Sequence, residues 1–77
     1  MPKFRVNVTL KPALLDSAGR AVGDSLKGMG FEAVQDVRIG KLIELTLADG
    51  DAAEVERMCE RLLANPVIED YRIEELS

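Results

Sequence analysis

The stretch Asp36-Val37-Arg38-Ile39-Gly40-Lys41-Leu42-Ile43-Glu44-Leu45 lies at the middle of a 77-residue chain and alternates apolar with polar residues on both sides of one glycine. Alternation with period 2 is the mark of a half-buried strand, and a glycine between two such runs suggests a β-hairpin. A two-residue turn at Gly40-Lys41 would set Ile39 against Leu42 and Val37 against Glu44, mixing the faces. The odd-length loop Gly40-Lys41-Leu42 pairs Ile39 with Ile43 and Val37 with Leu45. The expectation is a hairpin with Leu42 near its tip, pointing away from the core.

Outward from this centre, Lys3 to Leu10 alternates strictly, with Phe4, Val6, Val8 and Leu10 on one face, and Pro12 stops the strand. Asp16 is placed to cap a helix predicted from Asp16 to Met29. On that helix Leu15, Ala18, Ala21, Val22, Leu26 and Met29 share one arc, Gly19, Gly23 and Gly28 fall on its polar side, and Gly30 supplies a left-handed C-cap. Phe31, Ala33, Gln35, Val37 and Ile39 form the second strand of the prediction, and Ile43, Leu45 and Leu47 the third.

Asp51-Ala52-Ala53-Glu54 has capping-box spacing. The helix it starts is expected to reach about Ala64, with Val55, Met58, Cys59, Leu62 and Leu63 inward. Asn65 in a left-handed conformation and Pro66 would end it. A last strand, Val67 to Leu76, turns Tyr71 and Ile73 inward.

The order βαββαβ in one domain, residues 1–77, implies the ferredoxin-like fold of the α+β class. Its sheet has four antiparallel strands with both helices on one face. The opposite sheet face would carry Arg5, Asn7, Thr9, Arg38, Glu44, Thr46, Asp70, Arg72 and Glu74. So short a chain buries a small core, which favours completion by a second subunit, by default a homodimer.

Composition excludes several functions. A net charge of −4 opposes binding to phosphate backbones. The aromatic residues Phe4, Phe31 and Tyr71 all point inward by parity, so none is offered for base stacking. With no His, the commonest general base and metal ligand is missing. Cys59, the single cysteine, sits on an apolar helical stripe and reads as a buried structural thiol. One cysteine and no leader or long apolar run lead to the expectation of a reduced, cytoplasmic protein away from membranes. Asp49-Gly50-Asp51 lacks the ligand run of a calcium loop, and Glu69, Asp70, Glu74 and Glu75 read as a solvated charge run. No catalytic, cofactor or metal residue is expected in the chain. The candidates for contact with another subunit are Arg38, Lys41 and Leu42 on the hairpin, with Arg5, Asn7 and Arg72 on the sheet.

Several segments, in order, resemble the PurS family: Val8-Thr9-Leu10-Lys11-Pro12, Leu15-Asp16, Val37-Arg38-Ile39-Gly40-Lys41 with Glu44-Leu45, and Cys59 followed by Leu62-Leu63-Ala64-Asn65-Pro66-Val67-Ile68-Glu69-Asp70-Tyr71. Ser17 departs from the proline expected after the aspartate, which affects only the helix entry. The resemblance implies a non-catalytic assembly subunit of phosphoribosylformylglycinamidine synthase in purine biosynthesis. It also implies partners: a synthetase (PurL) that holds ATP, magnesium and formylglycinamide ribonucleotide, and a glutaminase (PurQ) whose ammonia crosses to it. Dimers, possible as tetramers too, would help to join the two. The alternative is a small-molecule-binding regulatory domain of the same βαββαβ type. A small acyl-phosphate hydrolase would need an arginine where Lys11 stands.

Overall fold

In a computed structural model, described over residues 1–76, the strand at the centre of the sheet is β1, Lys3–Leu10. Its even residues were selected for one face by their pattern, and Phe4, Val6 and Val8 are at most 1% exposed. Antiparallel to it on one side lies β2, Gly40–Thr46, with Val6 opposite Ile43 and Phe4 opposite Leu45. On the other side lies β3, Glu69–Glu75, with Val8 opposite Tyr71 and Val6 opposite Ile73. Among the described residues the sheet has three strands, in the order β2-β1-β3.

The second helical pattern forms a helix, α2 (Ala52–Met58), continued by a π-helical turn, Cys59–Leu63. Asp51 caps it by accepting from the Glu54 amide at 3.2 Å. Val55 and Cys59 are fully buried against the even face of β1. Asn65 is not left-handed, since every described positive-φ residue is a glycine. Its side chain instead accepts from the Val67 amide at 3.0 Å, while Glu69 Oε1 accepts from the Asn65 amide at 2.7 Å. These bonds turn the chain into β3 without backbone strain.

The first helix, α1 (Ser17–Gly28), has its expected caps. Asp16 accepts from the Gly19 amide, and the Gly30 (φ 101°) and Phe31 amides close on the Lys27 and Leu26 carbonyls in a Schellman motif. Its position is not the expected one. Rather than lying on the sheet beside α2, α1 projects beyond the Leu10 end of β1.

Residues 31–39 do not form a strand of this sheet, and the chain does not reverse at Gly40-Lys41-Leu42. They continue the direction of β2 out along α1, so hairpin and fourth strand are both absent among the described residues. α1 meets this segment through its glycines. Gly19 is buried against the Val37 carbonyl, and Gly23 lies over the Val37 side chain. The close approach reverses the helix polarity inferred from pattern: the glycine side packs, and Leu15, Val22 and Met29 are exposed. Phe31, assigned to the core by parity, is 55% exposed.

The result is a sheet-and-helix body with an arm. The Cα radius of gyration is 15.6 Å, against about 11.5 Å for a compact chain of this length, and the principal extents are 48 × 26 × 13 Å.

Candidate subunit-contact site

Because β1 alternates, its odd residues gather on the sheet face that no helix covers. Register places Arg5 between Glu44 and Glu74, Asn7 between Leu42 and Arg72, and Thr9 between Gly40 and Asp70. Four of the six candidates, Arg5, Asn7, Leu42 and Arg72, therefore share one surface. Leu42 owes its 58% exposure to this position and not to a hairpin tip.

Polar pairs order the surface around Leu42. Asn7 Nδ2 donates to Glu74 Oε1 at 2.7 Å, and Arg72 Nη2 reaches the same oxygen at 3.3 Å. Arg5 Nη2 stands 3.5 Å from Glu44 Oε2, and Lys11 Nζ 2.9 Å from Asp70 Oδ1. Exposed pairs of this kind contribute only about 0–1 kcal/mol each, so their main consequence is to hold side chains in place. Arg5 Nε is shielded from solvent and has no hydrogen-bond partner within the described chain.

The other two candidates lie elsewhere. Arg38 Nη2 donates to the Leu10 carbonyl at 2.9 Å and the Lys11 carbonyl at 3.3 Å, bracing the root of the arm. Lys41 is opposite Val8 on the α2 side of the sheet, with Nζ 3.9 Å from Glu69 Oε2.

Pattern reading missed the second role of Asp16. Besides capping α1 with Oδ1, it accepts from the Ile39 amide at 2.7 Å through Oδ2. These two amides, first Ile39 and then Gly19, hold its carboxyl below the usual carboxylate range, with help from the Arg38 charge and against the effect of burial. An N-cap aspartate at the correct spacing was the only sequence signal, and it carried no hint of the second amide.

Nucleophile chemistry finds no support in Cys59. Burial, then the Glu56 and Glu60 charges, push its thiol up and away from the reactive thiolate. Burial acts first on Tyr71 as well, raising its phenol. Among the described residues no cluster of three or more His, Cys, Asp or Glu is placed to hold a metal ion, and no helix is long and apolar enough to cross a membrane.

The profile of the PurS family, described as phosphoribosylformylglycinamidine (FGAM) synthase, matches residues 3–77. The chain belongs to the PurS family. It is 52% identical over 77 residues to the FGAM synthase subunit PurS of Bacillus subtilis, spanning 96% of this chain and 92% of that one. A crystal form of B. subtilis PurS superposes with a TM-score of 0.91 at 50% identity, covering all of both chains. PurS from Methanocaldococcus jannaschii gives 0.90 at 38% identity, covering 100% of this chain and 98% of that one. A chain from the structure of PurLQS of Thermotoga maritima gives 0.85 at 30% identity, covering 97% and 96%. The agreement with B. subtilis PurS spans α1 and residues 31–39, so the projecting arm belongs to the PurS fold.

Proposed function

We infer that this chain is an assembly subunit of FGAM synthase. In this reading it joins a synthetase subunit to a glutaminase subunit during ATP- and glutamine-dependent amidation of formylglycinamide ribonucleotide, in the cytoplasm. The observation that carries the reading is the likeness to a chain of the T. maritima PurLQS structure over nearly the full length of both chains. ATP and magnesium belong to the synthetase, and this chain supplies surfaces instead of reacting groups.

Two surfaces support that role. One is the uncovered sheet face, where Leu42 offers an apolar anchor among Arg5 and Arg72, held by ion pairs, and Asn7, held by its hydrogen bond to Glu74. The other is the arm, whose apolar helix face and three-stranded neighbour suit a homodimer in which the four-stranded ferredoxin-like unit is completed.

The experiment is reconstitution. Synthetase and glutaminase from the same source, mixed without this chain, should show little glutamine-dependent amidation while ammonia-dependent amidation persists. Adding the chain should restore the glutamine reaction. Full glutamine-dependent activity in its absence would overturn the assignment.

A further inference from the structure

The two connections between arm and body leave the sheet at the same end. β1 finishes at Leu10, and β2 begins on the neighbouring strand with Gly40 opposite Thr9. After β1 comes Pro12, and within residues 11–15 the one backbone–backbone hydrogen bond is Leu14 N to the Lys11 carbonyl at 2.9 Å. Beyond this end, α1 and residues 31–39 form one piece, because Gly19 and Gly23 lie against Val37. Two thin connections side by side are the geometry of a hinge.

Arg38 closes the gap between that piece and β1. Its Nη2 donates to the Leu10 carbonyl at 2.9 Å and to the Lys11 carbonyl at 3.3 Å, and these are the arm's hydrogen bonds to the end of β1 among the described residues. On the inner side of the hinge lies a cleft of about 430 Å³, lined among others by Val8, Leu10, Ala18, Ile39 and Lys41, which gives α1 room to turn towards the sheet.

Turn chemistry explains why the hinge stands open. A three-residue hairpin loop ends on a residue in the left-handed conformation, a position that suits glycine and disfavours a branched side chain. In Gly40-Lys41-Leu42 the glycine stands first and Leu42 last. Gly40 is instead lodged against the Val8 carbonyl, where a Cβ would not fit. The open form therefore rests on the Arg38 bonds and on the order of three residues.

We propose that the arm is a hinged strap with Arg38 as its latch: released there, it swings about residues 11–15 and 40–42 and lays residues 35–39 along the β2 edge of its own chain. The closed chain sets Ile39 opposite Ile43, Val37 opposite Leu45 and Arg38 opposite Glu44, so apolar residues stay together and Arg38 exchanges two carbonyls for a carboxylate. A turn one residue shorter or longer mixes the faces. Since Val37 lies against Gly23, α1 travels on the side that Val37 faces and comes to rest over Ile43 and Leu45, which are half-buried because α2 packs towards β3. Closure gives up the pairings of Thr9 with Gly40, Val8 with Lys41 and Asn7 with Leu42. In return it pairs a segment that, between Glu32 and Arg38, has one backbone–backbone hydrogen bond, Val34 N to the Phe31 carbonyl. The strap is a property of a single chain and is separate from the homodimer reading.

A disulfide within one chain tests closure. Asp36 and Thr46 are both exposed. In the open chain they are separated by about 30 Å of extended backbone, whereas in the closed chain they stand opposite each other with Cα atoms about 4.5–5.5 Å apart, within disulfide reach. The full chain carrying Asp36→Cys and Thr46→Cys is oxidised mildly at high dilution, and intrachain and interchain disulfides are separated by mass. Cys59 is buried and does not compete.

With Arg38 in place the intrachain disulfide should form slowly. Arg38→Ala should speed it by about tenfold or more, the effect of losing hydrogen bonds to a charged donor, and Leu42→Gly should speed it independently by accepting the left-handed turn. Gln35→Cys with Thr46→Cys puts the thiols on opposite faces and should stay slow in every background, which separates closure from unfolding. Equal rates for the two cysteine pairs, or interchain disulfides alone in all variants, overturn the strap. An intrachain disulfide that forms equally fast with and without Arg38 overturns the latch. The homodimer reading is decided separately, by the mass of the unsubstituted chain in sedimentation.

Discussion

Asp16 and Ile39, distant in sequence, are joined by a 2.7 Å hydrogen bond from the Ile39 amide to Oδ2 of the aspartate. Since Oδ1 takes the Gly19 amide at 2.8 Å, one carboxylate ties the start of α1 to the last residue before β2. This bond sets the arm's angle to the body. An asparagine has one acceptor oxygen and cannot satisfy both amides. Asp16→Asn should lower the thermal midpoint by several degrees and Asp16→Ala by more, as read by differential scanning calorimetry.

The same carboxylate makes a pH prediction. Its folded pKa is depressed by the two amides, so its stabilisation is complete above the unfolded value of about 3.9. That stabilisation is lost as pH falls through the lower folded value. The stability gap between the unsubstituted chain and Asp16→Asn should therefore be constant from neutral pH to about 5 and shrink under more acid conditions. A gap that widened on acidification would contradict the clamp.

Gly40 starts β2 against the Val8 carbonyl, and a Cβ there would meet that oxygen and the Thr9 side chain. The Val8 carbonyl cannot retreat without opening the β1–β2 ladder. Gly40→Ala should cost about 1–3 kcal/mol in urea denaturation. Gly28→Ala, where a Cβ meets nothing within 4 Å, should instead stabilise by a few tenths to about 1 kcal/mol through helix propensity.

Phe4 is 1% exposed at the base of the core beside Val55 and Cys59. Phe4→Ala should destabilise by about 3–5 kcal/mol, enough to unfold much of so small a domain. Cys59 in the intact protein should react with a disulfide reagent only as fast as the chain unfolds, because burial keeps both reagent and thiolate away. Rapid labelling under native conditions would show that the π-helical turn opens locally.

Leu42→Asp places a charge on the uncovered sheet face, on the edge strand β2, where the side chain is 58% exposed. Stability should change by no more than about 0.5 kcal/mol. Association with synthetase and glutaminase, followed by sizing chromatography, should fall. Unchanged assembly would remove this face from the contact surface.

Much of the fold was legible in the residue order because it depends on local chemistry. The alternation of Phe4, Val6 and Val8, the caps at Asp16 and Asp51, and Gly30 as a left-handed stop each act within a turn or along one strand. The contact candidates were legible as a face: parity alone put Arg5, Asn7 and Arg72 on one side of the sheet. Leu42 joined them for a different reason from the one expected. Arg38 and Lys41 were misplaced because both were read through a hairpin that the structure does not contain. Asp16's bond to Ile39 left no trace in the pattern, since a backbone amide has no identity in sequence.

By itself the sequence determined the core-facing side of β1, the starts of both helices at Asp16 and Asp51, and the left-handed stop of the first helix at Gly30. It could not determine whether the chain folds back at Gly40 or runs straight, because either path satisfies the same alternation. Tertiary structure decided for the straight path: Asp16 holds the Ile39 amide, Arg38 reaches out of the segment to the Leu10 and Lys11 carbonyls, and the α1 glycines accept its backbone at close range. A period-2 pattern specifies the face of a strand and is silent on the direction the chain takes at its end.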